Sequence, residues 1–157
     1  MKFELKCAKY KTLLIYLCLP FARFAPLRET FFMNENDTSR IIVDAAYKIH
    51  TTLGPGLLES VYESVLAFEL EKRGCKVIRQ QAIPVTYESV HLDARFRADL
   101  IVNDKVIIEI KSVEALSPVH LKELRTYLRL ADKRLGLLIN FNTELIKDGI
   151  RRVVNQL

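Results

Sequence analysis

The chain has 157 residues, half of them hydrophobic, which is enough for one globular domain with a single core and excludes an intrinsically disordered protein. Its net charge of +5 comes mainly from residues 1–32, which contain six Lys/Arg and two Asp/Glu; residues 33–157 contain eighteen and seventeen, so charge alone does not indicate nucleic-acid binding by the folded part. Only Cys75 lies beyond residue 32, so a disulfide framework or a cysteine-rich zinc site is excluded and a reducing, cytoplasmic compartment is expected.

Residues 1–32 contain a basic stretch followed by an apolar one, an order that indicates a leader segment. Four lysines precede an apolar run from Leu13 to Ala22, an order similar to a signal peptide, but the run is too short to span a bilayer. From Met33 onward the residues are typical of the start of a helix. We expect residues 33–157 to form the domain and residues 1–32 to pack poorly, with Met33 as the natural start. A secreted or membrane-attached protein is the alternative that the leader alone supports.

Two helices are predicted first. Thr38 or Ser39 can cap a helix whose apolar residues recur every three or four positions until Gly54. A second helix runs from about Leu57 to Arg73. Its predicted core face comprises Leu58, Val61, Tyr62, Val65, Leu66 or Phe68, and Leu70.

Strands dominate the middle of the chain. Residues 75–87 are β-rich, with Pro84 indicating an edge or a bend, and two further strands follow at 97–102 and 106–111. Ser117-Pro118 begins a third helix, residues 135–141 form a strand apolar enough to be covered on both faces, and a short strand or helical turn ends the chain. This order predicts an α/β fold with a mixed sheet flanked by helices.

The strands at 97–102 and 106–111 have a predictable register. Apolar residues alternate with polar ones in both, and only one antiparallel alignment sets the small and apolar residues opposite one another. It pairs residue 98 with 110, 100 with 108 and 102 with 106 around the loop 103–105. On the other face it places Asp99 opposite Glu109 and Arg97 opposite Lys111.

Two facing carboxylates require a compensating cation. Mg²⁺ fits, because it takes one or two carboxylates and fills its remaining positions with water and phosphate oxygens. Lys111 lies on the same side as Glu109 and could stabilise negative charge on an attacked phosphate. The adjacent cations Arg97 and Lys111 likewise indicate an anion such as phosphate. A solvated strand face with a ladder of ion pairs is the alternative interpretation.

With these residues in place the chain resembles the PD-(D/E)xK nuclease superfamily, and within it the GxxExxY proteins. The resemblance covers residues 38–155 and depends on five motifs in order: Leu53-Gly-Pro-Gly56, Gly56-Leu-Leu-Glu59-Ser-Val-Tyr62, Arg97-Ala-Asp99, Glu109-Ile-Lys111 and Leu137-Leu-Ile-Asn140-Phe141. It implies a restriction-endonuclease-like α/β/α core, with a mixed sheet flanked by helices.

The resemblance also implies an active site. Asp99 and Glu109 would be metal ligands together with the backbone carbonyl of Ile110, and Lys111 would be the catalytic lysine. Glu59 matches an additional acidic residue that acts in catalysis and metal binding. The ion would be Mg²⁺ or Mn²⁺.

Further residues are expected around the cleft. Glu123 and Tyr127 stand where relatives carry Gln and Tyr on the third helix, so a donor is replaced by a negative charge, and Ala98 replaces a proline. Arg97 and Tyr62 are also expected to line the cleft. For Tyr62 a position as an aromatic side chain of the core is expected as well. The predicted function is metal-dependent DNA hydrolysis by a protein without a membrane segment. Many nucleases of this fold act as dimers, but no exposed apolar stripe in the sequence demands a homodimer, so both a monomer and a homodimer stay open. The alternative is an inactive module of the same fold that binds nucleic acid or a protein partner.

Overall fold

The computed structural model describes residues 33–92 and 96–156, so the predicted leader at residues 1–32 lies outside the described residues. The described residues form four helices and seven strands. In chain order these are α1 (Glu35–Leu53), α2 (Glu59–Lys72), β1 (Val77–Ala82), β2 (Val85–Tyr87), β3 (Val90–Leu92), β4 (Arg97–Val102), β5 (Val106–Lys111), α3 (Pro118–Leu130), β6 (Leu135–Asn140), α4 (Ile146–Gly149) and β7 (Ile150–Val154).

A five-stranded mixed sheet with the order β1-β4-β5-β6-β7 organises the fold, and β2 and β3 form a separate hairpin. β5 and β6 are parallel, whereas the other neighbouring strands of the large sheet are antiparallel. The parallel pair is connected through α3, since parallel strands need a crossover. β6 is buried along its whole length, which confirms the prediction that it is covered on both faces.

Helices cover both faces of the sheet and divide the core into two parts. One buried cluster joins α1 and α2 to residues such as Leu100, Ile108 and Ile139, and the other joins α3 to residues such as Ile107 and Leu138. The predicted α/β fold with a helix-flanked mixed sheet is therefore confirmed. Among the described residues, no helix is long and apolar enough to cross a membrane.

The start of α1 differs from the prediction. Asn34 is the cap: its side chain accepts a hydrogen bond from the Asp37 N–H at 2.9 Å, and the Asp37 carboxylate accepts one from the Asn34 N–H. The prediction of Thr38 or Ser39 as the cap is wrong, because Thr38 is buried inside the helix and its hydroxyl accepts a hydrogen bond from Asn103. The helix ends at Gly54, as predicted.

The buried face of α2 is rotated from the one predicted. Tyr62, Leu66, Ala67 and Leu70 are buried, but Leu58, Val61 and Phe68 are exposed. Of the alternatives Leu66 and Phe68 it is Leu66 that is buried, whereas the prediction for Leu58 and Val61 is wrong. Two carboxylates, Glu63 and Glu69, share the buried face. Glu69 is paired with Lys48 and Arg73 at 2.9 and 3.0 Å, and Glu63 with Arg79 at 2.9 Å. Paired carboxylates are buried at less cost than isolated ones. The pattern of apolar residues therefore does not identify a buried face that contains Glu63 and Glu69.

Candidate active site

The hairpin of β4 and β5 has the predicted register over part of its length. Leu100 pairs with Ile108 and Val102 with Val106, and Asn103 and Asp104 form the turn with positive φ. Within these two fully described strands the pairing ends at Leu100, so the predicted pairs of residue 98 with 110, of Asp99 with Glu109 and of Arg97 with Lys111 do not form.

Asp99 explains where the pairing stops. Its carboxylate oxygen Oδ2 accepts a hydrogen bond from the Ile110 N–H at 2.8 Å, so a side chain takes the place of a backbone partner. Ala98 is accordingly buried in the cluster on the α3 side and does not share the face of Leu100, contrary to the prediction. The strands nevertheless bring Asp99 and Glu109 to the same region, where their charges interact.

Glu109 and Lys111 form an ion pair beside Asp99. The Lys111 ammonium donates a hydrogen bond to Glu109 Oε1 at 2.8 Å, and the Glu109 side chain is almost fully buried. The other carboxylate oxygen, Glu109 Oε2, is buried and has no hydrogen-bond partner. An unpartnered buried carboxylate oxygen is costly, so its position suits a cation or a hydrogen-bond donor.

The electrostatics of the cluster follow from burial and like charge. Burial and the negative charge of Asp99 raise the pKa of Glu109 from 4.5 to about 7. Burial also raises the pKa of Asp99, although the hydrogen bond from Ile110 opposes the shift. For Lys111, burial lowers the pKa, but the hydrogen bond to Glu109 and the negative charges of Glu109, Glu59 and Asp99 outweigh it, so the net shift is upward. Lys111 is therefore a stable cation at neutral pH.

Glu59 connects the start of α2 to the end of β5. Its Oε1 accepts a hydrogen bond from the Ser112 N–H at 3.0 Å, and the Ser112 hydroxyl donates one to the Leu57 carbonyl at 2.7 Å. Because Ser112 follows Lys111 directly, these bonds anchor the segment that carries the lysine. A cavity of about 670 Å³ is lined by Glu59 and Ser112, together with Gly56 and Asn142.

α3 contributes residues that interact with the cluster of Asp99, Glu109 and Lys111. The charge of Glu123 acts on both Glu109 and Tyr127, as expected if this helix borders the cleft. Burial and the charge of Glu109 raise the pKa of Tyr127. The Tyr127 ring also contacts Phe96 at a centroid distance of 5.9 Å. Phe96 was not predicted from the sequence, because a single aromatic before a strand carries no positional signal.

Tyr62 lies in the buried cluster that joins α1 and α2 to the sheet. It is fully buried and its ring stacks on Phe141 at 4.3 Å. Its hydroxyl donates a hydrogen bond to the Gly54 carbonyl at 2.6 Å and accepts one from the Leu57 N–H at 3.2 Å. This position matches the expectation of a core aromatic that shapes the loop before Glu59.

Replacing Tyr62 by Phe is expected to lower the free energy of unfolding by about 1–3 kcal/mol, because two hydrogen bonds are lost while the stacked ring remains. Urea unfolding measures the effect. Tyr47→Phe, at an exposed tyrosine of α1, is the control. Equal stability of Tyr62→Phe and the parent would mean that the two hydrogen bonds of the hydroxyl make no net contribution to folding.

Arg97 is exposed at the start of β4, where its backbone pairs with Ala82 of β1. The predicted juxtaposition of Arg97 and Lys111 is therefore not reproduced in the strand pairing. Arg97 and Lys111 are not paired because Asp99 ends the ladder between β4 and β5 before Arg97 is reached.

Two polar residues near Asp99, Gln80 and Glu63, were not predicted from the sequence as part of the site. The Gln80 side-chain amide donates hydrogen bonds to Glu63 Oε2 at 2.7 Å and to Asp99 Oδ1 at 3.2 Å. The only available signal was that Glu63 lies four residues after Glu59 and thus on the same side of α2.

The carboxylates fit a hard divalent cation, as judged from Glu109. Its unpartnered Oε2 and the nearby Asp99 offer the one or two carboxylates that Mg²⁺ typically uses. No three His, Cys, Asp or Glu side chains are arranged around one point within residues 33–92 and 96–156. Glu59 is thus not gathered with Asp99 and Glu109 into a three-carboxylate group, and water or phosphate would have to complete the ligand set.

The helix-flanked mixed sheet, with Asp99 and the Glu109–Lys111 pair on two of its central strands, defines a restriction-endonuclease-like protein. The chain belongs to the PD-(D/E)XK nuclease superfamily, whose family model matches residues 36–153. No curated protein and no solved structure matched the chain. The predicted superfamily is thereby confirmed.

Proposed function

We propose that this protein is a nuclease that hydrolyses DNA phosphodiester bonds with the help of a divalent metal ion. The observation that carries the proposal is the buried, unpartnered Oε2 of Glu109 next to a second carboxylate, in a chain of the PD-(D/E)XK nuclease superfamily. Two adjacent carboxylates destabilise a fold unless positive charge compensates them, and the Lys111 ammonium reaches only Oε1 of Glu109. The motif Gly56–Tyr62 further supports a place among the GxxExxY proteins.

Asp99 and Glu109, with the backbone carbonyl of Ile110, would hold Mg²⁺ or Mn²⁺. When bound, the ion would polarise a phosphate oxygen and lower the pKa of a water. In the reaction a water oxygen bonds to phosphorus, the bond from phosphorus to one ester oxygen breaks, and that oxygen takes up a proton.

The remaining residues have distinct proposed roles. The Lys111 ammonium stabilises the negative charge that develops on the phosphate. Glu59 anchors Ser112 through Oε1, and we assign its other oxygen to a second ion or to a water. Arg97 on β4, with Glu123 and Tyr127 on α3, would border the bound strand. We further propose a cytoplasmic homodimer.

The proposal is tested by incubating the purified chain with single- and double-stranded DNA in Mg²⁺, in Mn²⁺ and in EDTA. Cleavage that requires either ion is the expected result. Titration calorimetry with Mn²⁺, with and without DNA, runs in parallel. If no ion binds in either case and the DNA stays intact, the enzyme proposal fails, and DNA binding without cleavage would favour an inactive module.

A further inference from the structure

Gln80 occupies an unusual place in β1. Its φ is +49°, a left-handed backbone conformation that few non-glycine residues adopt. Arg79 pairs with Leu100 and Gln81 with Ala98 in the ladder to β4, so the departure is confined to one residue. A single residue held in such a conformation within a paired strand indicates that its side chain is required in a particular place.

The consequence is visible at Glu63. In a regular strand consecutive side chains point to opposite faces of the sheet. Here Arg79 and Gln80 reach the same carboxylate: Arg79 Nε donates to Glu63 Oε1 at 2.9 Å, and Gln80 Nε2 donates to Glu63 Oε2 at 2.7 Å. The left-handed backbone of Gln80 thus directs its amide toward α2.

The same amide reaches Asp99. A side-chain NH₂ group carries two hydrogens, so Gln80 Nε2 can donate to Glu63 at 2.7 Å and to Asp99 Oδ1 at 3.2 Å together. The other oxygen of Asp99 accepts from the Ile110 N–H. Each carboxylate oxygen has two acceptor positions, so both keep a free one. Asp99 is fixed at both oxygens and can still bind a cation.

We infer that Gln80 is a positioning residue, which holds the Asp99 carboxylate in the orientation that binds the divalent ion, with Glu63 and Arg79 fixing Gln80 in turn. This inference rests on the proposed function. Hydrogen-bond partners of metal ligands orient those ligands in advance, and losing one typically weakens metal affinity by about 10–100-fold.

The test compares Gln80→Leu and Gln80→Gly with the parent by titration calorimetry with Mn²⁺ in the absence of DNA. Both variants should bind Mn²⁺ about 10–100-fold more weakly, because both lose the amide. Gln81→Leu, one residue further along β1, is the matched control and should bind like the parent.

Thermal unfolding in EDTA separates positioning from simple stability. Glycine tolerates a positive φ, so Gln80→Gly should unfold at a higher temperature than Gln80→Leu while binding Mn²⁺ no better. If affinity instead follows the unfolding temperature across the variants, Gln80 is merely structural. Variants that bind like the parent also overturn the inference and leave the proposed function intact. A parent that binds no Mn²⁺ overturns both.

Discussion

Replacing Lys111 by Ala is expected to slow DNA cleavage by about 10²–10⁴-fold, the range typical for removing one group that stabilises or transfers charge in a transition state. Lys111 donates a 2.8 Å hydrogen bond to Glu109, and its pKa is raised in the presence of three carboxylates. It is therefore charged throughout the neutral range, and in the proposed mechanism it would act through its positive charge. Single-turnover cleavage at saturating Mg²⁺ measures the effect.

Two further variants make the result specific. Lys111→Met keeps most of the stem that packs beside Glu109 but removes the charge, so it should be as inactive as Lys111→Ala. Lys72→Ala removes an exposed lysine at the other end of α2, roughly 20 Å from Glu59 by the rise of a helix, and should cleave like the parent. Cleavage by Lys111→Met at the parent rate would exclude a catalytic role for the charge.

The hairpin shows what a sequence can specify. The alternation of apolar residues in β4 and β5 predicted the pairing of Leu100 with Ile108 and of Val102 with Val106, because a slip by one residue would exchange the two faces. It could not predict where the pairing ends. That point is set by a side chain, Asp99, which binds the Ile110 N–H in place of a backbone group.

Buried charge accounts for most of what the sequence did not reveal. The buried face of α2 includes Glu63 and Glu69, and a hydrophobic pattern assigns such residues to the solvent. Their partners come from α1, β1 and the end of α2, so only the tertiary structure identifies them. The contact of Gln80 with Asp99 was hidden for a related reason, since it depends on one backbone angle within β1.

Replacing Glu109 by Gln should abolish metal-dependent cleavage and, in EDTA, stabilise the protein at pH 8. The folded-state pKa of Glu109 is about 7, above its ordinary value of 4.5, so the folded protein binds this proton more tightly than the unfolded chain. The resulting stabilisation is fully present below pH 4.5 and is lost as the pH rises through 7. Gln resembles the protonated Glu109 side chain, so Glu109→Gln should keep this stabilisation at pH 8, where the parent has lost it. The free energy of unfolding of the variant should then exceed that of the parent by about 3 kcal/mol at most.

The difference in unfolding temperature between Glu109→Gln and the parent should therefore be large at pH 8 and small near pH 4.5. Glu69→Gln is the matched control: Glu69 is also buried, but the hydrogen bond from Lys48 lowers its pKa, so this variant should be destabilised at pH 8. Added Mn²⁺ should raise the unfolding temperature of the parent and leave Glu109→Gln almost unchanged. Equal stability of Glu109→Gln and the parent at pH 8 would mean that the ionised Glu109 is already compensated without an ion, and the physical basis for a metal at this position would be lost.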